Sequence, residues 1–329
     1  MNFTRITLYI LFANLFLSCN EPADSPYPPI KFDKITPLPG TGRASAVSFV
    51  IDGKGYVALG RTAIRSGALN DCWQYDPVAN SWAQKTSFPG KARVKSVAAV
   101  VDGKAFVGLG YDIDLGVFTP GGELRDFWMY DPVSDNWSQK DSFPSNASDG
   151  CVSFVSDNFI YVGEGFESST FTNEFWKYDP LKDTWYRLKD FPGYNRFGSV
   201  VCANNEHIFF GTGFDTFSDN DWWEYFPASD SWKKLKAMPD NGRVNAVSFS
   251  INNRFFVSTG RHFGGDHTTG ILFSDVKEYD AVRNVWYNRG NIPSGGRENA
   301  IVFTINGVGY IGQGDNDTQI MNDFWSFKP

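Results

Sequence analysis

Arginine recurs along this chain at a fixed distance from an aromatic residue. In five of six repeated segments an arginine lies eleven positions after that aromatic residue, and the remaining segment has Ser148 at the matching position. The five arginines are Arg43, Arg93, Arg196, Arg243 and Arg297. Clustered guanidinium groups favour carboxylate or phosphate ligands, because their fork of N–H donors matches the oxygen atoms of those anions. The sequence leaves open a structural alternative, in which each arginine donates to backbone carbonyls of the adjacent repeat.

A second group of polar residues lies in connecting segments that differ in length from one repeat to the next. Most of these segments are acidic, and they include Glu167 and Asp215, while a glycine-rich segment carries His262 and His267. Variable loops on a rigid scaffold commonly carry binding residues, so we expect Glu167, Asp215 and His262 to contact a ligand. Solvated loops and a calcium site are the alternatives for the acidic residues. The two histidines lack a third fixed ligand, and we expect neither a metal nor a cofactor.

The element that must position these side chains is a repeat of about 50 residues. An aromatic residue is followed seven positions later by proline at Phe32/Pro39, Trp82/Pro89, Trp137/Pro144, Trp185/Pro192, Trp232/Pro239 and Trp286/Pro293. A tyrosine lies seven positions before each of the five tryptophans, and Phe327 is the next member of that series. Self-similarity at a fixed period dictates the architecture of the whole chain.

Each repeat reads as four short β-strands. In the first, the segments 45–51, 55–60, 72–75 and 81–87 are β-prone, and Asp52-Gly53 favours a type I′ hairpin turn. The matching first hairpins carry Asp102-Gly103, Asp157-Asn158, Asn204-Asn205, Asn252-Asn253 and Asn306-Gly307. Because large aromatic side chains fill cores efficiently, we read the eleven tryptophans as blade packing and not as a sugar-stacking platform.

The Tyr-Asp-Pro…Trp pattern, at Tyr75-Asp76-Pro77 and its copies, resembles kelch repeats. That resemblance covers residues 31–329 and implies an all-β fold, a six-bladed kelch-type β-propeller with four antiparallel strands per blade. Arginine is frequent at the same place in kelch repeats and contacts acidic ligands in some relatives. The last repeat lacks its fourth strand, whereas an unpaired fourth strand stands at residues 32–35. We therefore predict that the N-terminal strand closes the ring, which would hide the exposed strand edges.

The first thirty residues are predicted to serve export and anchoring, and they are not predicted to belong to the folded domain. Residues 1–18 contain one charge and a short apolar run, which is typical of a signal peptide. Leu17-Ser18-Cys19 resembles a bacterial lipobox, which implies lipidation of Cys19, and residues 19–30 form a proline-rich tether. The alternative is an ordinary cleaved signal peptide. We expect export to the bacterial cell envelope and attachment to a membrane by lipid alone, at the outer membrane or cell surface.

Composition and motifs exclude some classes of function but do not identify a ligand. The net charge of −7 argues against nucleic acid as a partner. We found no nucleophile elbow or phosphate-binding loop, and we expect a monomeric binding module for a glycan or a protein. The alternative is an enzyme, because the chain is distantly similar to kelch proteins of the N-acetylneuraminate epimerase type. That resemblance implies a sugar mutarotase or epimerase, but no catalytic residue could be assigned.

Overall fold

The chain folds into six four-stranded antiparallel sheets arranged as a ring. The computed structural model describes residues 25–116, 119–146, 148–167, 170–264 and 270–329. The chain enters with β1 (Lys31–Lys34) and then forms blade 1 from β2 (Val47–Ile51), β3 (Lys54–Ala58), β4 (Cys72–Asp76) and β5 (Ser81–Lys85). Blade 2 consists of β6 (Val97–Val101), β7 (Lys104–Gly108), β8 (Phe127–Asp131) and β9 (Asn136–Lys140). Blade 3 consists of β10 (Val152–Ser156), β11 (Phe159–Glu167), β12 (Thr170–Asp179) and β13 (Thr184–Arg187).

The second half of the chain repeats the same order. Blade 4 consists of β14 (Val200–Ala203), β15 (Ile208–Gly211), β16 (Trp222–Phe226) and β17 (Ser231–Lys234). Blade 5 consists of β18 (Val247–Ile251), β19 (Arg254–Ser258), β22 (Asp275–Asp280) and β23 (Val285–Asn291), with the small pair β20 (Arg261–His262) and β21 (Ile271–Leu272) between them. Blade 6 consists of β24 (Ile301–Ile305), β25 (Val308–Gly312) and β26 (Phe324–Lys328), completed by β1.

The N-terminal strand closes the ring, as the sequence predicted. Lys31 to Lys34 of β1 pair antiparallel with Lys328 to Trp325 of β26. The first strands of successive blades contact one another around the axis, and β24 of blade 6 contacts β2 of blade 1. The predicted fold, a six-bladed all-β propeller with four antiparallel strands per blade, is confirmed.

The repeated side chains hold neighbouring blades together. The hydroxyl of Tyr75 donates to Asn80, whose side-chain oxygen also accepts from the backbone N–H of Thr36 at 3.2 Å. The indole of Trp82 donates to the Thr36 carbonyl at 3.1 Å. Asp76 caps the turn between them by accepting from the backbone N–H of Val78 at 2.9 Å. The residues of the Tyr-Asp-Pro…Trp pattern therefore stabilise a turn and a contact with the preceding blade.

Most of the predicted type I′ hairpins are present. Asp52 and Gly53 have φ of 48° and 70°, the left-handed pair that this turn needs. The hairpin at Asn204 differs from the prediction. The Asn204 side chain accepts from the backbone N–H groups of Glu206 and His207, and the backbone N–H of Asn204 donates to the His207 carbonyl at 2.9 Å. These bonds lengthen the turn to four residues.

The chain just before β1 packs against blade 5. The guanidinium of Arg289 donates to the Pro28 carbonyl at 2.9 Å and lies 5.3 Å from the ring centroid of Tyr27. The backbone N–H of Ile30 donates to the Arg289 carbonyl at 2.8 Å. Residues 27–30, which we expected in the tether, thus contact the propeller. Cys19 and the expected signal peptide lie outside the described residues.

Two further observations concern the described part of the chain. It contains no helix with both the length and the apolar character needed to cross a membrane. Cys72 and Cys202 are buried free thiols.

Candidate functional site: an axial cavity

The five repeated arginines are buried under the loops of one face of the ring. Each is between 0 and 2% exposed, and each forms a two-pronged ion pair with an aspartate of its own blade. In blade 2, Arg93 meets Asp126 with N···O distances of 2.6 and 2.8 Å and also donates to the Leu109 carbonyl at 3.2 Å. The five pairs are Arg43–Asp71, Arg93–Asp126, Arg196–Asp221, Arg243–Asp275 and Arg297–Asp323.

This environment differs from the one that ligand binding requires, in which the guanidinium groups are available to a carboxylate or phosphate. The aspartates are already matched to the guanidinium forks, and the bonds to carbonyls fall within one blade instead of crossing to the next. A ligand-binding role for the five arginines stays a prediction that their burial does not favour. The sequence signal for the pairing was present, since four of the five aspartates stand two residues before a tryptophan, as in Asp71-Cys72-Trp73.

The junction of blades 3 and 4 departs from this pattern. Blade 3 has Ser148 in place of arginine, and two acidic side chains instead approach Arg196 of blade 4. Glu164 lies 3.7 Å and Asp219 3.6 Å from Nε of Arg196, which also binds Asp221 at 2.6 Å. Burial raises the pKa of Glu164 well above its usual range, in spite of Arg196. Burial likewise raises the pKa of Asp219 to about 7.

A cavity of about 800 Å³ opens on the axis, on the face that carries these loops. Its walls come from residues that directly follow the glycine at the end of the second strand in five blades, and from the loops that lead into the first strands. Lining residues include Arg61, Lys95, Phe166, Phe197, Phe214, Arg261, Glu298 and Asp315. A cavity of several hundred Å³ that combines apolar walls with a few polar groups has the form of a small-molecule site.

One wall of the cavity is charged and hydrogen-bonded. Arg61 pairs with Asp315 at 3.1 Å, and Arg261 pairs with Glu298 at 2.7 Å and with Asp317 at 2.8 Å. Because it is buried beside Glu298, Asp315 has a pKa above its ordinary value, although Arg61 opposes that shift. Blades 1, 5 and 6 therefore present a network of fixed charges to the cavity.

The opposite wall is aromatic. Phe171 stacks on Phe197 with ring centroids 5.6 Å apart, and Phe166 and Phe214 pack against the same pair. Phe263 continues the wall from blade 5, with its ring 5.7 Å from that of Phe214. Blades 3 and 4 contribute most of this surface, so the cavity has two chemically different sides.

The floor of the cavity is a ring of residues with left-handed backbone. Ser45, Lys95, Asn245 and Asn299 have φ between 53° and 55°, as the loops turn into the first strands. Backbone N–H groups of this ring donate to carbonyls of the adjacent blade, for example Lys95 to Ser45 at 3.0 Å. Gly150 belongs to the same ring, and a Cβ there would lie 2.8 Å from the Phe197 ring. This hydrogen-bonded ring fixes the spacing of the blades at the axis.

The other predicted site residues lie beside the cavity and do not line it. Glu167 follows Phe166, Asp215 follows Phe214, and His262 lies between Arg261 and Phe263. Asp215 caps its own loop by accepting from the backbone N–H of Phe217 at 3.0 Å, and Nδ1 of His262 lies 3.2 Å from the Gly242 carbonyl. His267 lies outside the described residues. The second-to-third loops do reach the site, but through the neighbouring side chains.

The sequence contained a signal for the missed residues. Of the six residues that directly follow a glycine at the end of a second strand, five line the cavity, as in Gly60-Arg61, Gly213-Phe214 and Gly314-Asp315. In the described part of the chain, we find no group of three or more His, Cys, Asp or Glu side chains placed to hold a metal ion.

Fold and cavity together define a six-bladed β-propeller with a ligand-sized axial pocket. The chain is similar to a solved structure described as "Structure of YjhT", with a TM-score of 0.74 and 16% sequence identity over 90% of this chain and 99% of the other. At that identity the similarity extends to the fold alone. No family model matches the chain. No curated protein matches it either.

Proposed function

We propose that this protein binds a small carbohydrate in the axial cavity. The observation that supports the proposal is the division of that cavity into an aromatic wall, centred on Phe171 and Phe197, and a charged wall, centred on Arg61 and Arg261. A pyranose has hydroxyl groups around its edge and an apolar face of C–H bonds. Its face can pack on the phenyl rings while its hydroxyl groups bond the fixed charges opposite.

The five repeated arginines serve this function indirectly. Each ties the loop that precedes a first strand to the strand segment that follows the second-to-third loop of the same blade. These loops carry the lining residues, so rigid ion pairs beneath them preorganise the cavity.

We further propose that the protein is exported and held by a lipid on Cys19, with the cavity directed away from the membrane. Strand β1 starts at the face of the ring opposite the cavity, because fourth strands begin at the turn from the third strand. A tether that enters there leaves the cavity face exposed to its surroundings. The cavity would then take its ligand from the medium outside the membrane that holds the lipid anchor.

A second candidate function is mutarotation of the bound sugar. The observation that favours it is Asp315, a cavity carboxyl whose pKa is raised by burial and which lies 3.1 Å from Arg61. Ring opening needs a group that gives a proton to the ring oxygen and another that removes one from the anomeric hydroxyl. Asp315 and Glu298 would fill these two roles, in keeping with the sequence resemblance to N-acetylneuraminate epimerase-type proteins.

Thermal-shift measurements with a sugar panel test the proposal. The panel contains N-acetylneuraminate, galacturonate, galactose and N-acetylglucosamine, with Phe214→Ala as the cavity variant. Phe217→Ala is the matched control, because Phe217 lies in the same loop but is 56% exposed. We expect at least one sugar to raise the melting temperature of the wild type and of Phe217→Ala, with a much smaller shift for Phe214→Ala. A panel without any response would contradict the proposal and favour a protein partner.

The mutarotase candidate needs a separate measurement on the sugar that binds. Anomer exchange followed by NMR should be faster than in buffer for the wild type and should return to the buffer rate in Asp315→Asn, while binding is retained. Exchange at the buffer rate with wild-type protein would leave a binding function alone.

A further inference from the structure

Lys95 stands out among the residues of the cavity floor. It has φ of 53°, a backbone conformation that glycine and asparagine tolerate better than a long side chain does. The equivalent positions of the other blades hold Ser45, Gly150, Gly198, Asn245 and Asn299. Lysine is therefore the least expected residue type of the six for this backbone, and an unfavourable backbone that persists suggests a functional use.

The side chain of Lys95 reaches across blade 3 towards blade 4. Because Gly150 has no side chain, the ammonium group comes within 4.4 Å of the Phe197 ring centroid. Its nearest carboxylate oxygen is Oδ1 of Asp149, at 3.7 Å, which exceeds a hydrogen-bond distance. Burial raises the pKa of Asp149, although the charge of Lys95 opposes that shift. The lysine side chain is 23% exposed and lines the cavity.

The buried cations of the cavity are matched more closely. Arg61 donates to the Ala63 carbonyl at 2.8 Å and to Asp315 at 3.1 Å. Arg261 holds Glu298 and Asp317 at 2.7 and 2.8 Å. Arg65 is exposed at the rim, where water screens its charge. Lys95 is thus the cavity cation that combines partial burial with a long contact to its carboxylate neighbour.

We propose that Lys95 anchors the anionic group of a small carboxylate ligand whose apolar face packs against Phe197 and Phe171. This deepens the proposed function of the cavity by giving its ligand a carboxylate and an orientation. The carboxylate of the ligand lies at Lys95 on the cavity floor, beside the aromatic wall. The remaining polar groups of the ligand point to the charged wall. Where a cation lies on an aromatic ring, a carboxylate can bind the cation while a flat apolar group packs on the ring beside it.

A minimal pair of probes tests the proposal without knowledge of the natural ligand. Benzoate carries a carboxylate on a flat apolar ring, and benzamide is its neutral counterpart. We expect ligand-observed NMR titration of the full propeller to show saturable benzoate binding that is at least about tenfold tighter than benzamide binding, the scale of one charge-assisted hydrogen bond. Lys95→Asn should abolish this preference, and Lys95→Arg should retain most of it.

Lys95→Asn is a conservative change for the fold, because asparagine occupies the equivalent positions 245 and 299 with the same backbone. Lys104→Asn, at the first hairpin on the far face, is the matched control and should behave as the wild type. Equal binding of benzoate and benzamide, no binding of benzoate, or an unchanged preference in Lys95→Asn would overturn the proposal. Sugar binding to the wild type in any of these cases would leave the function of the cavity standing. A benzoate preference lost in Lys95→Asn, without binding of any sugar, would support Lys95 and contradict the carbohydrate proposal.

Discussion

Individual carboxyl groups around the buried arginines behave in opposite ways. Asp126 is partly buried, which by itself raises its pKa, but hydrogen bonds and charge from Arg93 outweigh this effect and bring the pKa below its ordinary value. Asp219 shares Arg196 with Asp221, so burial wins and raises its pKa to about 7. Three carboxyl groups surround Arg196, whereas one carboxyl group pairs with Arg93, and this difference accounts for the opposite shifts of Asp219 and Asp126.

These two shifts predict opposite effects of pH on stability. A carboxyl with a raised pKa stabilises the fold fully below its unfolded pKa, and that contribution is lost as pH rises through the folded pKa. We expect Asp219→Asn to match the wild type near pH 4 and to be more stable at pH 8, by about 1–2 kcal/mol after solvent screening. Asp126→Asn should be less stable than the wild type at pH 8 and approach it in acid, because a lowered pKa stabilises at high pH.

Urea unfolding between pH 4 and 8 measures both differences. Asp126→Asn is the internal control, since it removes one carboxylate charge beside a different buried arginine. If Asp219→Asn were less stable than the wild type at pH 8, that result would contradict an excess of buried negative charge beside Arg196.

Much of the site could not be predicted at this scale. The arginine spacing was visible in the sequence, but their aspartate partners lie about 30 residues away, and the sequence alone does not show that each guanidinium is satisfied by its own blade. Phe214 and Asp215 are adjacent, and the chain turn at Gly213, with φ of 105°, decides which of them faces the cavity. That choice depends on three-dimensional geometry that residue types do not reveal.

At the scale of strands and blades, the sequence was more informative. In blade 1, Tyr75 bonds to Asn80, and Asn80 and Trp82 both bond to Thr36. The same contact between blades recurs one repeat later, where Asp135 and Trp137 bond to Thr86. Features without a repeat were harder to foresee. The packing of Tyr27 and Pro28 on Arg289 occurs once, and no repeated pattern indicated it.

Ring closure by β1 predicts the effect of an N-terminal truncation. A chain that begins at residue 41 lacks β1 and the Thr36 contacts, so the edge of β26 is left unpaired and open to association. We expect its melting temperature to fall by roughly 10 °C or more, with aggregation on heating. A chain that begins at residue 25 keeps every described contact and is the control. Equal melting temperatures for the two chains would show that β1 does not hold the ring together.

The whole molecule separates two tasks onto two faces. The cavity and its variable loops occupy one face, whereas the chain enters blade 6 from the other. Under the proposed attachment at Cys19, this arrangement would leave the cavity facing away from the attachment point. Six-fold repetition supplies the rigid frame, and the departures from repetition, such as the aromatic side chains of blades 3 and 4, supply the chemistry.

A crystal structure of the protein soaked with the sugar that gives the largest thermal shift tests the central proposal most directly. We predict electron density for the sugar in the axial cavity, with its apolar face on the aromatic wall and its polar groups toward Arg61 and Arg261. Density for the same sugar on the outer rim or on the opposite face, with the cavity unchanged, would contradict the account.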